Sequence, residues 1–367
     1  MASPREADVA FMREAVRLAA RARGKTAPNP LVGSVVVRGK RGIARGYHRR
    51  AGLPHGEAVA LARAGAGARG ATLYVTLEPC AHTGLTRPCV DAVLASGVRR
   101  VVVGMRDPDP RTSGRSIRKL RRAGLQVEVG VLEQECRRLN AGFLSRVERG
   151  RPFTTLKLAS TLDGRIATAR GESRWITGAP ARAFVHRLRG SADAIAIGSG
   201  TATADDPALT QRSGGRVRHR PTRIVIDSRL RTPPEAQLIG AGPPGSAWIL
   251  TSRSSSKRRR GRLERAGARL IDVRTRGDHL DLRAAWKALG RLGVNDLLVE
   301  GGGGLAAALL RAKLVDRLHL FLAPMLLGSE GKPVLGPLAV DRLERADRPA
   351  RVASRRIGDD LLVTLEW

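Results

Sequence analysis

Val9, Met12, Val16 and Ala19 recur at helical spacing among Arg and Glu, and this pattern predicts a first helix running to about Arg21. The period then changes. Leu31 to Val37 reads as a strand, followed by a helix from Glu57, a strand Ala71 to Leu77 and a helix from Cys89. A strand Arg100 to Gly104, a helix Ile117 to Ala123 and a strand Gln126 to Val131 continue the series. Such alternation predicts an α/β sandwich. Arg146, Glu148, Arg149, Gly150, Arg151 and Pro152 interrupt the apolar periodicity between Ser145 and Pro152, which predicts two domains, residues 1–147 and 148–367. Beyond the interruption the pattern restarts with an apolar strand from Phe153 that runs into a turn at Asp163-Gly164.

Composition changes the picture in three ways. A chain of 367 residues with 42% hydrophobic content is long enough for two domains, each with its own core. The three cysteines allow no disulfide framework, which fits a reducing cytosol and a cytoplasmic protein; Cys136 is expected to pack as a small apolar residue. The amphipathic N-terminal helix is not a signal peptide, and no run of about eighteen uncharged apolar residues offers a membrane span.

Charge raises the question of a polyanionic partner, because the formal net charge is +33. The cations are mostly Arg scattered through both halves, and aromatic residues, which would stack on single strands, make up 3% of the chain. Nucleic acid is therefore not the expected partner. The local cluster Lys257-Arg258-Arg259-Arg260 reads as a solvated loop or helix start between Ser254 and Leu263.

The candidate chemistry lies in His55-Gly56-Glu57, Pro79-Cys80 and Pro88-Cys89. One His and two Cys give Zn²⁺ three protein ligands and leave a fourth position for water, the arrangement of a catalytic site. Glu57 is the expected proton shuttle of a zinc deaminase, and one zinc per chain is expected from the single cluster. A lone His or Cys is more often a core residue; three ligand types in this order, at the starts of helices and the end of a strand, are not. Residues 81–88 separate the two cysteines, whereas nucleic-acid deaminases typically have Cys-x-x-Cys.

In the second half, Gly301 to Gly304 follow an apolar strand and precede a helix-like Leu305 to Ala312, a context in which backbone N–H groups hold a pyrophosphate; without those flanks a flexible turn is an equal reading. No Gly-x-Gly-x-x-Gly opens a first βαβ unit, so an ordinary Rossmann domain is disfavoured. Thr251-Ser252-Arg253, after the strand-like Ala247 to Leu250, reads either as a site for an adenosine 2′-phosphate or as ordinary surface charge.

The stretch Thr76 to Cys89, with Ala27 to Gly33, Gly46-Tyr47-His48 and Asp107-Pro108-Asp109-Pro110, resembles the deaminase half of the bifunctional riboflavin-biosynthesis deaminase/reductases. Phe153 to Ala167, Gly171 to Gly178, Gly198 to Thr201, Asp205 to Thr210, Ile224 to Ser228, Leu297 to Gly304 and Ala323 to Gly328 resemble its reductase half, in the same order. The resemblance implies a cytidine-deaminase-like three-layer sandwich followed by a dihydrofolate-reductase-like α/β domain. It implies zinc-dependent deamination of 2,5-diamino-6-(5-phosphoribosylamino)pyrimidin-4-one, then NADPH-dependent reduction of the ribosyl group to ribityl. By the same resemblance Ala159, Trp175, Thr201, Asp205, Ser228, Gly302, Gly303 and Gly304 contact NADPH. Ser173, Arg189, Leu209, Arg212 and Glu300 contact the substrate, with Arg189 and Arg212 as phosphate clamps and Asp205 or Glu300 as candidate proton donors. Leu85 stands where the family usually has Lys or Arg, and Asp109 where it has Asn; this implies weaker grip on the phosphoribosyl tail, offset by Arg87 or Arg111, or a modified pyrimidine as substrate. A nucleic-acid-acting deaminase remains the alternative, and homo-oligomerisation is left open.

Overall fold

The computed structural model describes residues 4–83 and 87–367 and divides into two compact units, Met1–Gly150 and Arg151–Trp367. The division lies a few residues beyond the expected 147/148 boundary, because the Ser145 to Pro152 stretch opens as helix and ends only where Gly150 turns left-handed, with φ 69°.

The first unit starts with α1 (Pro4–Ala20), the hairpin β1 (Gly33–Arg38) and β2 (Arg41–Tyr47), and α2 (Gly56–Ala64). It continues with β3 (Thr72–Leu77), α3 (Cys89–Ala95), β4 (Arg100–Met105), α4 (Arg115–Arg122) and β5 (Gln126–Val129), and closes with α5 (Glu133–Leu139) and α6 (Ala141–Arg149). The sheet order is β2-β1-β3-β4-β5; β1 runs antiparallel to both neighbours, while β3, β4 and β5 are parallel. Parallel strands buried on both faces read as continuous apolar runs, as Val101 to Val103 do. β2 was not expected from the sequence: its exposed Arg41 and Arg45 and its two glycines carry no apolar alternation. Asp8 fastens α1 to the sheet, accepting from Tyr74 Oη at 2.6 Å and from both Nη groups of Arg100 at 2.7 Å.

Two glycines let α2 lie backbone-on-backbone against the hairpin. A Cβ at Gly46 would fall 2.2 Å from the Gly56 carbonyl oxygen and 2.5 Å from Ala60 N, and one at Gly56 would fall 2.7 Å from the Val32 oxygen. This close approach fixes the N-terminus of α2, where His55 and Glu57 sit.

The second unit is built around one nine-stranded sheet, whose strands alternate with helices and short hairpins as separate elements. In chain order they begin with β6 (Phe153–Thr161), the short β7 (Arg165–Ala167), α7 (Ala179–Ser191), β8 (Ala194–Gly198) and α8 (Ser199–Asp205). The hairpin β9 (Gln211–Ser213) and β10 (Arg216–His219) follows, then β11 (Thr222–Ile226), α9 (Gln237–Gly240), β12 (Ala247–Thr251), α10 (Lys257–Arg265) and β13 (Ala268–Asp272). The rest comprises β14 (Thr275–Arg276), β15 (His279–Leu280), α11 (Leu282–Arg291), β16 (Asp296–Glu300), α12 (Gly303–Arg311), β17 (Arg317–Ala323), β18 (Lys332–Pro333), β19 (Arg351–Ile357) and β20 (Asp360–Glu366). The sheet order is β13-β12-β11-β8-β16-β6-β17-β20-β19; the strands are parallel from β13 to β17, and β20 and β19 are antiparallel. The basic cluster at 257–260 opens α10, capped by Ser256, whose Oγ accepts from Arg259 N at 3.5 Å. Trp286, wholly buried, donates to Thr154 Oγ1 at 2.7 Å, and Asp316 accepts from Thr154 N at 2.7 Å and from the Arg151 fork at 2.6 and 2.7 Å. These bonds satisfy polar groups that the core would otherwise strand.

Candidate active sites

In the first unit the end of β3 and the starts of α2 and α3 bring His55, Cys80 and Cys89 together, their donor atoms all within 4.8 Å of one another. His55 Nδ1 lies 3.8 Å from Cys80 Sγ and 3.2 Å from Cys89 Sγ. Tetrahedral zinc, with bonds of about 2.1 Å to nitrogen and 2.3 Å to sulfur, would set such N···S edges at about 3.6 Å. The donor set therefore fits zinc in both chemistry and spacing. Cys80 Sγ accepts from Cys89 N at 3.2 Å; the Cys89 thiol, then His55, hold the Cys80 thiol below its ordinary range, while Cys80 drives that of Cys89 up. Without a cation the pair keeps one proton, and a dication would take both sulfurs as thiolates.

Glu57 is 2% exposed, its Oε2 has no hydrogen-bond partner, and burial pushes its pKa up against the pull of His55. A buried carboxylate with one oxygen free, two residues from a metal-ligating histidine, is poised to take and return a proton. The buried ring of His48 meets His55 edge-on, with centroids 4.9 Å apart. Its Nδ1 donates to the Pro54 carbonyl at 3.2 Å and its Nε2 accepts from Asn29 Nδ2 at 3.2 Å, as a neutral imidazole does; burial lowers its pKa accordingly.

Leu85 lies outside the described residues. Asp109, the second departure from the family pattern, is turned onto Arg111, its carboxylate accepting from Arg111 N at 2.9 Å and from Nη2 at 2.5 Å, and Arg111 holds its pKa low. Its charge is thus neutralised by a neighbour two residues away.

In the second unit a cleft of about 1430 Å³ opens over the ends of β6, β8 and β16. Ala159, Trp175, Thr201, Asp205, Gly302 and Gly304 line it, as do Ser173, Arg189, Leu209, Arg212 and Glu300. Gly303 and Ser228 do not. Gly303 is buried, and a Cβ there would lie 2.9 Å from the Val334 oxygen, so it serves the packing of α12 against the segment after β18; the Ser228 carbonyl accepts from Thr251 Oγ1 at 3.4 Å. Arg253 is exposed and is not on the cleft wall.

Glu300, 9% exposed at the end of β16, accepts from Arg189 Nε at 2.7 Å and Nη2 at 2.9 Å. Burial opposes its ionisation, and Arg189, with help from Lys157, overcomes that and keeps it a carboxylate. Arg189 Nη1 donates to the Thr210 carbonyl at 3.2 Å, so the guanidinium is committed within the wall. Lys157 and His186 were not expected from the sequence. Lys157 pairs with Glu300 in the parallel register of β6 and β16, and burial pushes its pKa down. A lone cation inside an apolar strand was its available signal; for His186 it was the spacing from Arg182 and Arg189 along one helix.

Residues 5–105 match the family described as the cytidine and deoxycytidylate deaminase zinc-binding region, and residues 152–363 match the RibD C-terminal domain. The chain is 41% identical to the riboflavin biosynthesis protein RibD of Escherichia coli (strain K12), over 98% of this chain and 99% of that one. It is 39% identical to RibD of Aquifex aeolicus (strain VF5), over 98% of each. The solved structure of Acinetobacter baumannii RibD matches with a TM-score of 0.89 at 34% identity, covering 99% of both chains. That of the Thermotoga maritima diaminohydroxyphosphoribosylaminopyrimidine deaminase/5-amino-6-(5-phosphoribosylamino)uracil reductase matches with a TM-score of 0.85 at 32% identity, again over 99% of both.

Proposed function

The chain belongs to the RibD family of bifunctional riboflavin-biosynthesis deaminase/reductases, and from that premise we propose how its own residues divide the two reactions. It is an enzyme with a zinc-binding deaminase unit and a reductase unit that takes a nicotinamide cofactor. The observation that carries the assignment of roles is the buried Glu57 carboxylate, with its Oε2 unpartnered, beside the His55, Cys80 and Cys89 donors. Those three residues would hold one zinc per chain. When bound, zinc supplies an acidified water as the nucleophile for the amino-bearing ring carbon of 2,5-diamino-6-(5-phosphoribosylamino)pyrimidin-4-one. Glu57 takes the proton given up at attack and returns it to the departing amino nitrogen, which leaves as ammonia.

In the second unit NADPH would lie along Ala159, Trp175, Thr201, Asp205, Gly302 and Gly304, and deliver hydride to the ribosyl C1 of the deaminated product. Opening the ribose to a ribityl chain then needs one proton. Glu300 is a carboxylate tied to Arg189 and has none to give, whereas Lys157, half-buried beside it with a lowered pKa, is the better donor. Ser173, Leu209 and Arg212 complete the substrate wall.

The test is one assay that follows ammonia release and the oxidation of NADPH or NADH together, on the wild-type chain and three variants. Wild type should do both reactions and prefer NADPH. Glu57→Gln should keep its zinc and release no ammonia, Cys80→Ala should lose metal and deamination together, and Lys157→Met should lose cofactor oxidation alone. Zinc loss in Glu57→Gln equal to that in Cys80→Ala would refute the division between ligands and proton carrier.

A further inference from the structure

The commitment of Arg189 to Glu300 leaves a question about the phosphate of the reductase substrate, since the expected pair of clamping arginines is reduced to one. Arg212, exposed on β9, uses its Nε on Thr210 Oγ1 at 3.2 Å and leaves both Nη groups without a partner among the described residues. Next to it stands His186. On α7 it follows Arg182 by one turn and precedes Arg189 by another, so all three share the face that lines the cleft.

The ring of His186 is held in one tautomer. Its Nδ1 accepts from the backbone N–H of Arg212 at 3.2 Å, and a nitrogen that accepts carries no proton, so the proton sits on Nε2. Burial, then the cations Arg189 and Arg212, lower its pKa against the opposing pull of Glu300 and the Thr210 carbonyl, and the ring is neutral. A neutral imidazole pinned at Nδ1 keeps a single oriented donor, Nε2–H, whose acceptor within the protein is the Thr210 carbonyl, already shared with Arg189 Nη1 at 3.2 Å.

We propose that His186 is a substrate-binding residue of the reductase reaction, its Nε2–H donating to an oxygen of the substrate's phosphate beside the free Nη groups of Arg212. This rests on the assignment of the cleft to the phosphoribosylaminouracil reduction. The bond forms in the ground state and persists through hydride transfer, so it acts on KM and not on kcat.

Asn and Gln separate the two jobs of the ring. Asparagine can place its oxygen near Nδ1 and keep the bond to Arg212 N, but has nothing at Nε2; glutamine can place an N–H near Nε2. With the full-length protein, saturating NADPH and the deaminated phosphoribosylaminouracil as substrate, His186→Asn should raise KM, and the inhibition constant of inorganic phosphate, by about tenfold or more. Its kcat and its KM for NADPH should stay within about twofold, and His186→Gln should recover both constants to within about threefold. The unchanged kcat and KM for NADPH, both read from the second unit itself, serve as the internal control for a folded protein, with ammonia release by the first unit unchanged in both variants. A wild-type KM in His186→Asn would overturn the proposal, as would a loss in His186→Gln larger than in His186→Asn, which would mean that only the Nδ1 bond matters. Failure of the wild-type chain to oxidise NADPH with this substrate would instead sink the assignment of the cleft.

Discussion

His319 lies on β17 with 8% of its surface exposed, and its Nδ1 is 2.9 Å from Thr364 Oγ1 on the neighbouring β20. Burial, with Arg317 and Arg355 nearby, pushes its pKa from 6.5 down to about 4. The folded chain therefore keeps this ring neutral while the unfolded chain takes up a proton as pH falls below 6.5. Since the unfolded state binds more protons in the window between about 6.5 and about 4, stability of the second unit is present above it and is lost as pH falls through it, by about 3 kcal/mol in all. Urea denaturation at a series of pH values should show this loss, and His319→Gln should flatten it; an equally steep profile in the variant would assign the proton uptake to other groups. At this scale the sequence was legible where chemistry needs rare residue types at fixed order, as at His55, Glu57, Cys80 and Cys89. It was not legible for Lys157 or His186, whose meaning comes from Glu300 and Arg212, partners that arrive from other strands only on folding.

The elements that carry the deaminase site are positioned by backbone contact more than by side-chain packing. α2 sits on β2 through Gly46 and Gly56, where any Cβ would meet main-chain atoms that cannot turn aside. Gly46→Ala should therefore push the start of α2 outward, destabilise the first unit by about 1–3 kcal/mol and lower its zinc content, while NADPH oxidation with deaminated substrate stays at the wild-type rate. Metal analysis beside a thermal melt would check this; full zinc occupancy in a destabilised variant would show that the helix yields without moving His55. The same contact explains why β2 escaped the sequence pattern. A strand whose face is covered by helix backbone needs glycine or alanine, not a large apolar residue, and its exposed positions are Arg41, Ile43 and Arg45, the last donating to Glu14 Oε1 at 2.5 Å. α10 was left open between a solvated loop and a helix start, and the Ser256 cap with good helix-forming Lys and Arg decides for the helix. The parallel strands β3, β4 and β16 could be read directly, since burial on both faces leaves an apolar run that turns cannot imitate.

For the whole molecule, two cores and two sites mean two reactions that can be silenced one at a time. Several arginines serve the fold of their own unit through internal ion pairs: Arg100 with Asp8 in the first, and Arg151 with Asp316 and Arg189 with Glu300 in the second. Among the described residues the three-donor metal cluster is that of His55, Cys80 and Cys89, and it lies in the first unit. Removing zinc with a chelator should abolish ammonia release and lower the stability of that unit, because a site that binds metal only when folded adds its binding free energy to folding. The cleft of the second unit is lined by no such cluster, so chelated protein given already deaminated substrate should oxidise NADPH at an undiminished rate. Given the diamino substrate instead, it should oxidise none, and adding zinc back should restore both reactions together. Loss of cofactor oxidation on the deaminated substrate after chelation would show that the reductase depends on the metal of the other unit, and that the two cores do not act as separate catalysts.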